Sequence, residues 1–80
     1  MNRYRILYFA SLRDVSGCEL EELRSEHSDP RLLYADLRQR HGFTLHQASL
    51  RLAVNGEFAG WDRALADGDE IVFLPPVSGG

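Results

Sequence analysis

The run Ile71-Val72-Phe73-Leu74 followed by Pro75-Pro76 narrows the possible folds more than any other stretch of this sequence. Four apolar residues in a row, two of them β-branched, read as a short strand buried in a sheet. Neither proline can donate to a β-ladder, so the strand ends at Leu74. Pro-Pro favours the extended polyproline conformation, so residues 75–80 leave the body as a stiff arm. The arm closes Val77-Ser78-Gly79-Gly80. Glycines lack a Cβ, and such a backbone can enter a slot too narrow for other residues. Fully extended, residues 75–80 reach roughly 20 Å at about 3.3 Å each. Residues 1–74 are then a compact handle for this arm.

The handle reads in order as strand, strand, helix, strand, short strand, strand. Residues 3–10 form the first strand, with Tyr4, Ile6 and Tyr8 on one face and Arg3, Arg5, Leu7 and Phe9 on the other. Apolar residues toward its end on both faces predict a central strand covered on both sides. Residues 11–17 connect onward, with a helical turn over Leu12–Val15 and Gly17 at a positive φ. A second strand follows over Cys18–Ser25, with Cys18 and Leu20 sharing a face. Leu23 breaks that parity, which predicts a bulge or the strand's end near Glu22. Ser28-Asp29-Pro30 starts a helix: either polar residue can cap it, and Pro30 suits the first turn. The helix runs to about His41 and buries Leu33, Tyr34 and Leu37, and Gly42 stops it. Residues 43–49 form a packed loop with Phe43 inward. Leu50, Leu52 and Val54 alternate inward along a strand, and Asn55-Gly56 marks a type I′ hairpin. Glu57–Ala59 is the return strand, Leu65 anchors an irregular bridge, and Asp67-Gly68-Asp69 turns the chain into the last strand.

This order predicts an α+β fold of the β-grasp, ubiquitin-like type. Its mixed sheet packs on one main helix, with the first and last strands parallel across the helical crossover. Eighty residues allow one domain with a thin core. The net charge of −3 argues against a nucleic-acid partner. All nine basic residues are arginines, so no lysine is present to form a Schiff base or accept a conjugate. Cys18 is the one cysteine, which excludes an internal disulfide, a Cys-x-x-Cys pair and a four-cysteine cluster. His27, His41 and His46 lack metal-ligand spacing, and no metal site is expected. Glu19, Glu21, Glu22 and Glu26 read as a solvated acidic face. Apolar runs are too short for a membrane span or a signal peptide, so a soluble, cytoplasmic protein is expected.

No catalytic constellation stands out, and Ser78 has no base beside it. The arm's carboxyl is the chemically distinctive group. At pH 7 it is ionised and a poor electrophile, so it reacts only after another enzyme makes a mixed anhydride of it. A sulfur nucleophile would then leave a thiocarboxylate, and an amine an amide.

Three blocks carry a family resemblance: Tyr8-Phe9-Ala10-Ser11-Leu12-Arg13-Asp14, Ala53-Val54-Asn55-Gly56-Glu57, and Leu65–Glu70 running into Phe73–Gly80. They resemble the small, sulfur-carrying subunit of molybdopterin synthase. The resemblance implies a β-grasp fold and a thiocarboxylate on Gly80, with Gly79 keeping the arm narrow. It implies no bound cofactor, ATP being used by an adenylating, ubiquitin-activating-like partner. A second partner, the large synthase subunit, would take the sulfur to cyclic pyranopterin monophosphate, in a complex of two large and two small subunits. The carrier alone would be a monomer. Carriers serving thiazole, cysteine or tRNA thiolation, or a ubiquitin-like modifier, are the alternatives. Docking is expected around the arm, through Phe9, Arg13, Phe73, Leu74, Pro75, Pro76, Val77 and Ser78, with Leu7 and Phe9 otherwise serving as core.

Overall fold

The computed structural model describes residues 1–76. Strand β1 (Asn2–Tyr8) leads into helix α1 (Ala10–Ser16), then β2 (Leu20–Ser25) and the main helix α2 (Pro30–His41). A 3-10 turn (Gln47–Ser49) precedes β3 (Arg51–Val54), β4 (Glu57–Ala59) and β5 (Glu70–Leu74). The five strands form one mixed sheet in the order β2-β1-β5-β3-β4. β1 and β5 are parallel and central, and every other neighbouring pair is antiparallel. This is the predicted β-grasp arrangement.

The core follows from period-2 alternation meeting one apolar helix stripe. Tyr4, Ile6 and Tyr8 from β1, Leu52 and Val54 from β3, and Ile71 and Phe73 from β5 point to one side, where Leu33, Tyr34 and Leu37 of α2 cover them. Asp29 caps α2 by accepting from the Arg31 backbone N–H at 2.9 Å. Gly42 ends it at φ +77°, a conformation a Cβ would disfavour. Trp61 and Leu65, from the link between β4 and β5, close the core near the end of β5. Trp61 stacks on Phe73 with ring centroids 5.8 Å apart, and Leu65 is buried.

Three expectations change. First, β1 stops at Tyr8 and is covered on one face only: Arg3 and Arg5 are exposed and Leu7 half-buried. Second, the expected turn at Leu12–Val15 is a full helix, α1, with Leu12 buried beneath it. Third, β2 begins at Leu20, two residues later than expected, and has no bulge. Its register against β1 runs unbroken from Leu20↔Leu7 to Ser25↔Asn2. Glu21, Leu23 and Ser25 face inward while Leu20, Glu22 and Arg24 face out. The parity of Leu23 is therefore regular, and Leu20 is the outward residue.

Glu21 is tolerated inside because it is fully partnered. The Tyr8 hydroxyl donates to Glu21 Oε1 at 2.6 Å, and His41 Nε2 lies 2.9 Å from the same oxygen. Arg40 reaches Glu21 Oε2 at 3.4 Å. Of the four glutamates read as a solvated face, this one instead ties β1, β2 and the end of α2 together. The second polar tie joins the hairpin to β5. Asn55 lies at φ +54° in the turn, where its side chain donates to buried Asp69 at 2.9 Å and accepts the Glu70 N–H at 2.9 Å.

Candidate functional site

The parallel β1–β5 pair decides where the arm departs. Tyr8 is level with Phe73, and Leu74 is level with Arg51 of β3. Phe9, Leu74 and Pro75 therefore sit at one end of the sheet, where the arm begins. Phe9 is 46% exposed, Leu74 and Pro75 are half-buried and Pro76 is exposed. Val77, Ser78, Gly79 and Gly80, which include the expected reactive group, lie outside the described residues.

The uncovered face of the sheet carries a pattern that single-strand reading does not reveal. The pairings Leu20↔Leu7, Leu7↔Val72, Val72↔Ala53 and Ala53↔Phe58 line up in one row across all five strands. Every member is apolar, and the row ends on Leu20, 40% exposed, and Phe58, 66% exposed. The Arg51 guanidinium lies over the Phe58 ring, 4.9 Å from its centroid. Leu74 stands one step nearer the arm on the same face. On the other side of the row, Arg5 sits between Glu22 and Glu70 at 4.0 and 3.9 Å. The face thus divides into an apolar band beside the arm and a charged band beyond it. Between those exposed ends Leu7 and Val72 are half-buried and Ala53 is buried among its neighbours, and an apolar patch left exposed in this way is a candidate partner surface.

Leu7, Phe9 and Leu74 join this surface. Phe73 does not, because it is fully buried. Its place is beneath Trp61, where it holds β5, and the expectation that it touches a partner is corrected by that burial. Arg13 is exposed in the last turn of α1 and pairs with Glu19 at 3.4 Å. Val72, Ala53, Phe58 and Leu20 were missed from sequence. Their signal was an apolar residue at each position where an alternating strand should be polar, and only the register shows that these positions adjoin.

Tyr8 and Glu21, which face each other across the core, are both shifted from their ordinary pKa values. Burial first, and then the bond to Glu21, raise the Tyr8 phenol well above its ordinary range. Burial pushes Glu21 upward, but the hydrogen bonds from Tyr8 and His41 outweigh it and leave the carboxyl lowered. Both belong to the tie across the core and lie on the covered side of the sheet. Among the described residues no group of three or more His, Cys, Asp and Glu side chains could hold a metal ion. Among them, too, no helix is long and apolar enough to cross a membrane.

Comparison with known proteins gives a consistent set of relatives. The model of the ThiS family matches residues 6–80. The molybdopterin synthase sulfur carrier subunit of Escherichia coli is 33% identical over 79 residues, covering 95% of this chain and 98% of that one. Among solved structures, a molybdopterin converting factor subunit 1 from Pyrococcus furiosus superposes with a TM-score of 0.80 at 30% identity, covering 96% of this chain and all of that one. A small archaeal modifier protein 1 from Methanosarcina acetivorans matches with a TM-score of 0.75 at 27% identity, over 100% of this chain and 98% of its own. A chain of the complex of subunits 1 and 2 of the molybdopterin-converting factor from Helicobacter pylori matches at 0.67 and 25% identity, over 98% and 99%.

Proposed function

This chain belongs to the ThiS family, and from that premise we propose that it is the sulfur-carrying subunit of a molybdopterin synthase. The observation that carries the proposal is one of position. The family match runs through residue 80, and the arm it includes starts beside an uncovered apolar band spanning the sheet. A carrier needs both: a group to load and a face by which partners hold it while the group reacts.

The chemistry belongs to Gly80. Its carboxylate attacks the α-phosphorus of ATP in an adenylating partner, releasing pyrophosphate and leaving an acyl adenylate. Hydrosulfide from the sulfur source then adds to the carbonyl carbon, the C–O bond to AMP breaks, and a thiocarboxylate is left. In the large subunit that sulfur attacks cyclic pyranopterin monophosphate, water then cleaves the acyl C–S bond and frees the carrier with its Gly80 carboxylate restored, and two such deliveries build the dithiolene. The carrier supplies no acid, base or metal and binds no cofactor, so on its own it is not catalytic. Phe9, Leu7, Leu74, Pro75 and Pro76 serve docking, Arg13 adds a charge at the rim, and Val77, Ser78 and Gly79 lead Gly80 into the partner's cleft.

The likeness to a modifier protein supports a second reading, in which the activated terminus acylates an amine of another protein. Intact mass separates the two after incubation with the adenylating enzyme, ATP and a sulfur source. Exchange of one oxygen for sulfur on this chain supports the carrier. A branched remnant on a second protein, without that exchange, supports the modifier and would overturn the carrier reading.

A further inference from the structure

The far end of the uncovered face holds an unfavourable arrangement. Arg3 and Arg24 stand directly opposite each other across β1 and β2, and both are exposed. Like charges at facing positions destabilise a sheet. The adjacent row shows how such a charge is normally balanced, with Arg5 between Glu22 and Glu70. Among the described residues no carboxylate pairs with the guanidinium of Arg3 or Arg24. Asp67, beside Arg3, accepts its backbone N–H at 2.6 Å instead. The chain carries a net charge of −3, so this corner is not part of a generally basic surface.

We propose that Arg3 and Arg24 form a carboxylate clamp that grips an acidic segment of the large subunit. The inference rests on the sulfur-carrier reading and extends its docking face. Arg3 and Leu7 are four residues apart on the same face of β1, about 13 Å at strand rise. A partner that covers the apolar band reaches this corner by extending along the sheet in the direction away from the arm. Paired guanidinium forks match carboxylates in a way point charges do not. A phosphate backbone is disfavoured, because two arginines on a chain of net charge −3 cannot neutralise a run of phosphates. The repulsion between the arginines is relieved when a carboxylate lies between them, so the contact is worth more in the complex than in the free carrier.

The test is binding of the full chain to the large subunit, by calorimetric titration at low and high salt, with Arg24→Glu. The substitution places a carboxylate opposite Arg3, so the free protein's melting temperature rises while affinity falls about tenfold or more. The loss shrinks at high salt. The double variant Arg3→Glu with Arg24→Glu restores the like-charge pair and binds more weakly still. Arg63→Glu, at an exposed site off the sheet, is the control and changes affinity by less than about twofold. Equal affinities for Arg24→Glu and Arg63→Glu overturn the clamp and leave the carrier reading intact. Failure of the wild type to bind overturns the large subunit as partner, and the clamp with it.

Discussion

Ala10 has a φ of +51°, a left-handed conformation that costs a residue with a Cβ about 1 kcal/mol or more. It opens α1 directly after Phe9, and its side chain is exposed. Two effects of Ala10→Gly oppose each other. Glycine gains entropy in the unfolded chain, but relief of the left-handed strain is larger where φ is positive. The usual penalty for glycine in a helix does not apply, since this residue is outside right-handed helical geometry. We expect a gain of roughly 0.5–1 kcal/mol, read as a higher urea midpoint at unchanged slope. Asn55 behaves in the opposite way. Asn55→Gly keeps the turn but removes the bonds to Asp69 and the Glu70 N–H, leaving buried Asp69 short of a donor. A loss of about 1–2 kcal/mol is expected, measured by the same titration. Gly80→Ala should leave stability within about 0.5 kcal/mol yet abolish most pterin conversion, since about 1 Å of misplacement can cost 100-fold. Deleting Gly80 should abolish it altogether; full conversion by the deletion variant would remove the carboxyl terminus as sulfur donor.

At the scale of elements, the decisive joint is where β1, β2 and the end of α2 meet on Glu21. Its side chain is only 20% exposed and serves Tyr8, His41 and Arg40. Glu21→Ala leaves a buried phenol without its acceptor and removes charge-assisted bonds, for an expected loss of about 2–3 kcal/mol. Glu21→Gln keeps an acceptor for Tyr8 and should lose less. The joint also sets the response to pH. A lowered carboxyl adds stability above its ordinary value of 4.5 and loses it as pH falls through the lower folded value. A raised phenol acts in the other direction: its contribution is complete below its ordinary value of 10.0 and is lost as pH rises beyond it. Melting temperature should therefore fall on both the acid and the alkaline side, and Glu21→Gln should flatten the acid limb. An unchanged acid limb in that variant would show that Glu21 does not carry it.

For the whole molecule, one face of the sheet makes the core, and the proposed docking uses the other. Phe9 tests that division. It stands 46% exposed beside the arm, so Phe9→Ala should unfold within about 1 kcal/mol of the wild type. Its affinity for the large subunit should fall by 2 kcal/mol or so, as for an aromatic anchor near an interface centre. Thermal unfolding together with binding decides the matter. A variant that unfolds at room temperature would return Phe9 to the core, and a folded variant with unchanged affinity would remove it from the interface.

Much of this was already determined by local chemistry in the chain. Asp29-Pro30 and Gly42 bounded α2 because capping and termination act within a few residues. Asn55-Gly56 announced its hairpin because few residues accept a positive φ, and Pro75-Pro76 ended β5 by removing N–H donors. Tertiary structure alone decided which apolar residues are covered. Leu7, Leu20, Val72 and Phe58 are as hydrophobic as their buried neighbours, and only the strand register shows that they form one row on a face with no helix over it. Glu21 makes the converse point: an acidic residue reads as exposed until a phenol, an imidazole and a guanidinium from two other elements are brought to it. Burial depends on what the fold places opposite a side chain, across tens of residues of sequence, and no local pattern contains that.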